Sequence, residues 1–216
     1  MTAPQGQGRA RRITALVPEP QGTGSIWIEV DGTRFGSLSP EVVREERLRV
    51  GSELEDALLD RLGALAEVEA TYRTALRAVE RRSFARADLA RRLRRKGHAP
   101  DAIERALGRL AEHGFLDDAA FAASYVETRA ARGRGPVRLA RDLAAMGVER
   151  SVIDRALASH AGSTDTTGDI PRALAAKRAA QLEDLPRHVR RRRVLAYLAR
   201  RGFSGREVTE MVGQLI

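Results

Sequence analysis

The chain has 216 residues, no cysteine, and 38 basic against 29 acidic side chains, a formal net charge of +9. The missing thiols exclude disulfides, thiol catalysis and thiolate metal centres. A composition 43% hydrophobic but only 4% aromatic favours aliphatic helix packing over a β-sandwich. The excess of arginine makes a polyanion the first partner to consider, with solvated helix faces as the competing use of the same charge.

Residues 1–11 are rich in Gly, Gln and Arg, bury nothing and read as a basic tail. They contain no apolar leader, and no apolar run is long enough to cross a bilayer, so a cytoplasmic chain without membrane contact is expected. Residues 12–68 form the next segment. RITALV and SIWIEV alternate apolar with polar residues, and Asp31–Gly32 joins the second to TRFGSL, a hairpin signal. Ser39 and Pro40 open a short helix as N-cap and first helical residue. Trp27, beside the hairpin turn, belongs to the sheet core on this reading, and a stacking platform is its other use. The sheet alone would be marginal and must pack on something.

From about residue 53 the apolar period is helical, through Leu54, Leu58, Leu62, Leu65, Val68, Tyr72, Leu76 and Val79. Gly63 is the expected weak point, giving two helices or one bent one. Three copies of one unit follow. Leu89, Leu93, Gly97, Ile103, Ala106 and Leu107 recur as Leu139, Leu143, Gly147, Ile153, Ala156 and Leu157, then as Val194, Leu198, Gly202, Val208, Met211 and Val212. Each copy reads as a helix stopped by a left-handed glycine, a turn and a second helix, with a further helix upstream at Glu69–Arg82, Asp117–Arg132 and Ile170–Leu185. Three-helix repeats are thus expected at 69–116, 117–160 and 170–216, with a polar linker at 161–169. The fold class is mainly α, tandem three-helix repeats in an elongated array beside a small N-terminal β-sheet.

No catalytic, cofactor or metal site is expected. His98, His113, His160 and His188 are scattered outside any metal-binding spacing, and no nucleophile or phosphate-loop motif occurs. Asp117 and Asp118 read as helix caps. Gly133–Gly135 reads as a helix stop, with approach to a phosphate as the other use. The arginines are more informative. With Leu89 and Leu93 inward, Arg91, Arg94 and Arg95 fall on the opposite face, flanked by Lys96. The second copy lacks most of that charge, so the framework does not need it. Arg129, Arg132, Arg134, Arg138 and Arg141 gather around the second copy, and Arg187, Arg190, Arg191, Arg193, Arg200 and Arg201 around the third. These are the candidate binding residues.

The hairpin with FGSLSPEVV and LRVGSEL, the segments GFLDDAAFAASYVETR and GRGPVRLARDLAAMGV, and the thrice-repeated unit resemble RecX, bacterial regulators of the recombinase RecA. The resemblance runs from about Arg12 to the C-terminus and is most specific over Gly114–Gly147. It implies a non-enzymatic protein of tandem three-helix, winged-helix-like repeats that binds the groove of the RecA–single-stranded DNA filament and limits recombination and ATP hydrolysis. A monomer is the expected state. Direct contact with single-stranded DNA, and with duplex DNA as a second ligand, belongs to the same picture. The long Gly/Ser/Thr/Asp linker before the third repeat and the strongly basic third helix pair depart from the family pattern. A winged-helix repressor reading duplex bases is the alternative, although no copy has the Asn, Gln, Ser and Arg mixture of a recognition helix. A nuclease would instead show divalent-metal-dependent turnover.

Overall fold

The computed structural model describes residues 11–20, 24–163 and 169–216. The expected tail before residue 11 and positions 164–168 of the expected linker lie outside them. The fold is mainly helical, with tandem three-helix groups and a small antiparallel sheet. It divides into two compact units, one of residues 1–83 with 89–116 and the other of 84–88 with 117–216.

In the first unit, strands β1 (Arg11–Pro18), β2 (Ile26–Val30), β3 (Thr33–Leu38) and β4 (Glu53–Leu54) form an antiparallel sheet in the order β3-β2-β1-β4. Asp31 and Gly32 take φ of 50° and 76°, so both central residues of the β2–β3 turn are left-handed and match the strand twist. Ser39 caps α1 (Pro40–Glu45) by accepting from the Val42 amide. Leu54, expected on a helix, instead pairs with Arg11 in β4 and closes the sheet core. Two residues are too few for an alternating pattern to register.

Helix α2 (Asp56–Val79) runs unbroken through Gly63 and through residues 68 and 69. Its first half buries Leu59 and Leu62 with Ile13, Ile28 and Leu38 of the sheet. Gly36 lets it approach, since a Cβ there would stand 2.8 Å from that of Ala66. Its second half packs on α4 (Pro100–Glu112) through buried Val68, Tyr72 and Ala75. Packing on both sides of Gly63 outweighs the roughly 1 kcal/mol a helical glycine costs. One helix therefore serves the sheet and the first three-helix group together. Between α2 and α4 lies α3 (Arg86–Arg95), whose Leu89 and Leu93 are fully buried.

Trp27 is not core. It is half-buried on the face opposite Ile28, with the Arg34 guanidinium 5.5 Å from its ring. Arg34 and Arg73 both pair with Glu19, which also accepts from the Ser37 hydroxyl at 2.6 Å. Burial alone would raise the Glu19 pKa, but the Ser37 hydroxyl and the two guanidiniums outweigh it and hold the carboxyl below its ordinary value. A depressed folded-state pKa contributes stability above the unfolded value and loses it as pH falls through the folded one. Glu19→Gln should therefore be less stable than wild type near neutrality and should flatten the loss of stability below about pH 4, where carboxylates normally titrate. Urea melts across that range check it; parallel curves would contradict it.

The second unit holds α5 (Asp118–Ala130), α6 (Pro136–Met146), α7 (Arg150–Ser163), α8 (Asp169–Ala180), α9 (Arg187–Arg201) and α10 (Arg206–Leu215). Asp117 caps α5, accepting from the Ala119 and Ala120 amides, and Asp118 accepts the first amide of α3, Arg86 N–H, at 2.8 Å. Ala85, Val126, Leu139, Leu143 and Ile153 form one core. Ala175, Val194, Leu198 and Val212 form another. The two join end to end. At the α9 C-terminus the carbonyls of Arg201 and Gly202 accept the amides of Gly135 and Val137 at the start of α6, at 2.7 and 3.2 Å. Each helix end supplies what the other lacks. Gly135 thus approaches another helix terminus, a use that neither sequence reading of it anticipated.

Candidate nucleic-acid interface

The predicted arginines separate into engaged and available groups. Arg94 and Arg95 at the end of α3, and Lys96 in the turn after it, are exposed, past the buried Leu93. Arg91 is half-buried and already engaged. In the second copy, Arg134 donates to Asp142 at 2.6 Å and to the Tyr125 hydroxyl at 3.2 Å, and Arg138 meets the same carboxylate at 3.0 Å. Arg129 stands 5.5 Å from the Tyr125 ring, which stacks on Phe121. Burial, and behind it the Asp142 charge, raises the Tyr125 pKa, so the phenol stays protonated beside its carboxylate. This network ties α5 to α6. Only Arg132 and Arg141 of this group are exposed with no ion pair among the described residues.

On α9, Arg191, Arg193 and Arg200 are exposed, as is Arg192 beside them. Arg187 donates to the Ile216 carbonyl at 2.7 Å. Arg201 donates to the Gly133 carbonyl at 3.3 Å and lies 5.0 Å from the Tyr197 ring, while Arg190 is half-buried. Arg178 of α8 also faces Tyr197, at 5.9 Å. No spacing rule could have linked it to α9 from the sequence.

The last helix of each group differs in character. Exposed Asp101, Glu104 and Glu112 offset the basic residues of α4. Arg150 and Asp154 pair along α7 at 2.9 Å, as do Arg206 and Glu210 along α10 at 2.7 Å. The surplus charge therefore sits on the middle helices, α3 and α9. Among the described residues no three His, Asp or Glu side chains are grouped as a metal site requires, and no helix is long and apolar enough to cross a membrane.

Fold and surface together define a helical-repeat protein of tandem three-helix groups with cationic middle helices. Residues 72–110 match the family model described as RecX, first three-helix domain, and residues 117–157 the one described as RecX, second three-helix domain. A Pseudomonas entomophila protein named Regulatory protein RecX is 35% identical over 147 residues, 68% of this chain and 90% of its own length. One of the same name from Halorhodospira halophila is 45% identical over 92 residues, 43% of this chain and 57% of its own length. A crystal structure of regulatory protein RecX superposes with a TM-score of 0.79 at 24% identity, covering 94% of this chain and 99% of the other, and so shares the fold. The chain belongs to the RecX family.

Proposed function

We propose that this chain acts in the cytoplasm as a monomeric regulator of the RecA recombinase. It binds in the groove of the RecA–single-stranded DNA filament, touches the DNA through arginine-rich helix faces, and limits recombination and the coupled ATP hydrolysis. Family membership supports the regulatory role. The observation that carries the DNA contact is the exposed charge at Arg94, Arg95 and Lys96, which have no ion pair among the described residues, where the second copy has Ala144, Ala145 and Met146 on the same framework. Charge the fold does not require is available to a partner. The balanced last helices favour this reading over a repressor, which would read duplex bases with that helix.

Co-sedimentation with recombinase filaments and a recombinase ATPase assay test the proposal; absence of both binding and inhibition would overturn it. Replacing Arg94, Arg95 and Lys96 with alanine should change stability by no more than about 0.5 kcal/mol per site, as exposed substitutions do. It should weaken filament binding and, for isolated single-stranded DNA, lower the salt slope by about 0.7 for each phosphate no longer neutralised. Wild-type binding and inhibition by this variant would show that the α3 charge is only solvated surface.

A further inference from the structure

Among the described residues, two buried side-chain nitrogens lack a hydrogen-bond partner, and both are arginine Nε atoms of the third helical group, on Arg178 and Arg190. An orphaned donor normally costs about 1–3 kcal/mol. Neither arginine has an ion pair among the described residues, nor do Arg193 and Arg201; the ion pair of this group, Arg206–Glu210, lies on α10. Tyr197 draws two of the cations together, with the guanidiniums of Arg178 and Arg201 at 5.9 and 5.0 Å from its ring. Arg190 and Arg193 stand seven and four residues before Tyr197, which places both on its side of α9. Arg178 is further oriented by donating from Nη1 to Gln181 at 2.9 Å, which leaves its Nε edge unused. An anion that accepts from these buried Nε donors would relieve their cost and answer the like charge gathered around them.

We propose that this α8–α9 face is a phosphodiester-binding site for single-stranded nucleic acid. On binding, the half-buried Arg178 and Arg190 side chains turn their Nε edges outward to backbone phosphate oxygens, and Tyr197 is a positioning residue that orients Arg178 and Arg201. The guanidinium edge matches two oxygens of one phosphate, which an ammonium cannot do. Partly buried donors on two different helices are within reach of a flexible strand, whereas a stiff duplex meets exposed charge. The five arginines of Arg187–Arg193 would draw that strand in. The inference rests on the DNA contact proposed above and assigns it a site.

The test is fluorescence anisotropy of a labelled oligothymidylate with the full chain over a range of salt. Arg178→Ala with Arg190→Ala should weaken binding about tenfold and lower the salt slope by about 1.4, the share of two single-strand phosphates. Arg178→Lys with Arg190→Lys should keep the slope and still reduce affinity severalfold, a readout that survives if the alanine variant folds poorly. Tyr197→Leu should weaken binding while Tyr197→Phe, which keeps the ring, binds as wild type. Arg150→Ala with Arg206→Ala removes equal charge elsewhere and should leave binding unchanged. Wild-type affinity in the lysine pair, or an equal reduction in the charge-matched control, overturns the site while leaving the regulatory reading intact. So does a double variant that keeps the oligonucleotide but no longer sediments with filaments, which would assign the face to acidic protein. A wild-type chain that binds no oligonucleotide overturns the site and the DNA contact together.

Discussion

Gly202→Ala should destabilise the protein by at least about 4 kcal/mol, the range reserved for severe steric or packing defects, whereas Gly147→Ala should cost about 1–2 kcal/mol. The two glycines occupy the same place in the repeat and nearly the same backbone, with φ of 93° and 84°. They differ in what surrounds them. A Cβ at Gly147 would meet nothing within 4 Å, so only the left-handed backbone is strained. A Cβ at Gly202 would collide with the backbone nitrogen of Arg138, and one at Gly135 would collide with the Gly202 carbonyl. No rotamer relieves a clash with backbone, so α6 and α9 would have to separate and break the hydrogen bonds between their ends. For a chain of this size about 1 kcal/mol moves the melting temperature by roughly 2–4 °C. Thermal melts should therefore show a drop of a few degrees for Gly147→Ala and of at least roughly 8–16 °C for Gly202→Ala, with Gly135→Ala resembling the latter. Equal shifts at 147 and 202 would mean that the joint yields without cost.

Glu69→Ala should cost about 3 kcal/mol, as expected when a buried serine and a half-buried guanidinium are deprived of their carboxylate. That carboxylate is 2% exposed and accepts from the Ser25 hydroxyl at 2.5 Å and from Arg109 at 2.7 Å. Ser25 precedes β2 and Arg109 lies on α4, so this one side chain of α2 ties the sheet to the first three-helix group. Arg109 also lies 4.0 Å from the Tyr72 ring, whose hydroxyl meets His113 Nδ1 at 2.9 Å. Truncating Glu69 takes an acceptor from a 1%-exposed serine and from a guanidinium confined by its aromatic neighbour. Adding Arg109→Met should recover part of the stability, since deleting both charges costs less than orphaning one. Urea midpoints check both expectations. A Glu69→Ala variant as stable as wild type, or a double variant worse than the sum of its parts, would contradict this account.

The β2–β3 hairpin, the Ser39–Pro40 helix start, the Asp117 cap and the left-handed glycines at 97, 147 and 202 were legible in the sequence. Each depends on a φ angle or a hydrogen bond spanning a few residues, and residue type alone restricts those. The repeated apolar positions disclosed the three-helix groups for a related reason, because each group buries the same face. Other features required the tertiary structure. Gly63 weakens a helix in isolation, yet Phe35 and the sheet on one side and α4 on the other keep α2 whole. Trp27 has the composition of a core residue, but strand register turns it to the outer face. The arginines make the distinction clearest. Arg134 and Arg138 belong to Asp142 and Arg201 to the joint, while Arg94, Arg95 and Arg193 remain available. A guanidinium carries the same charge and reach in every case. Whether that charge is engaged depends on which carboxylate or carbonyl folding brings within about 3 Å, the distance of a hydrogen bond, and distant segments of the chain meet only in three dimensions.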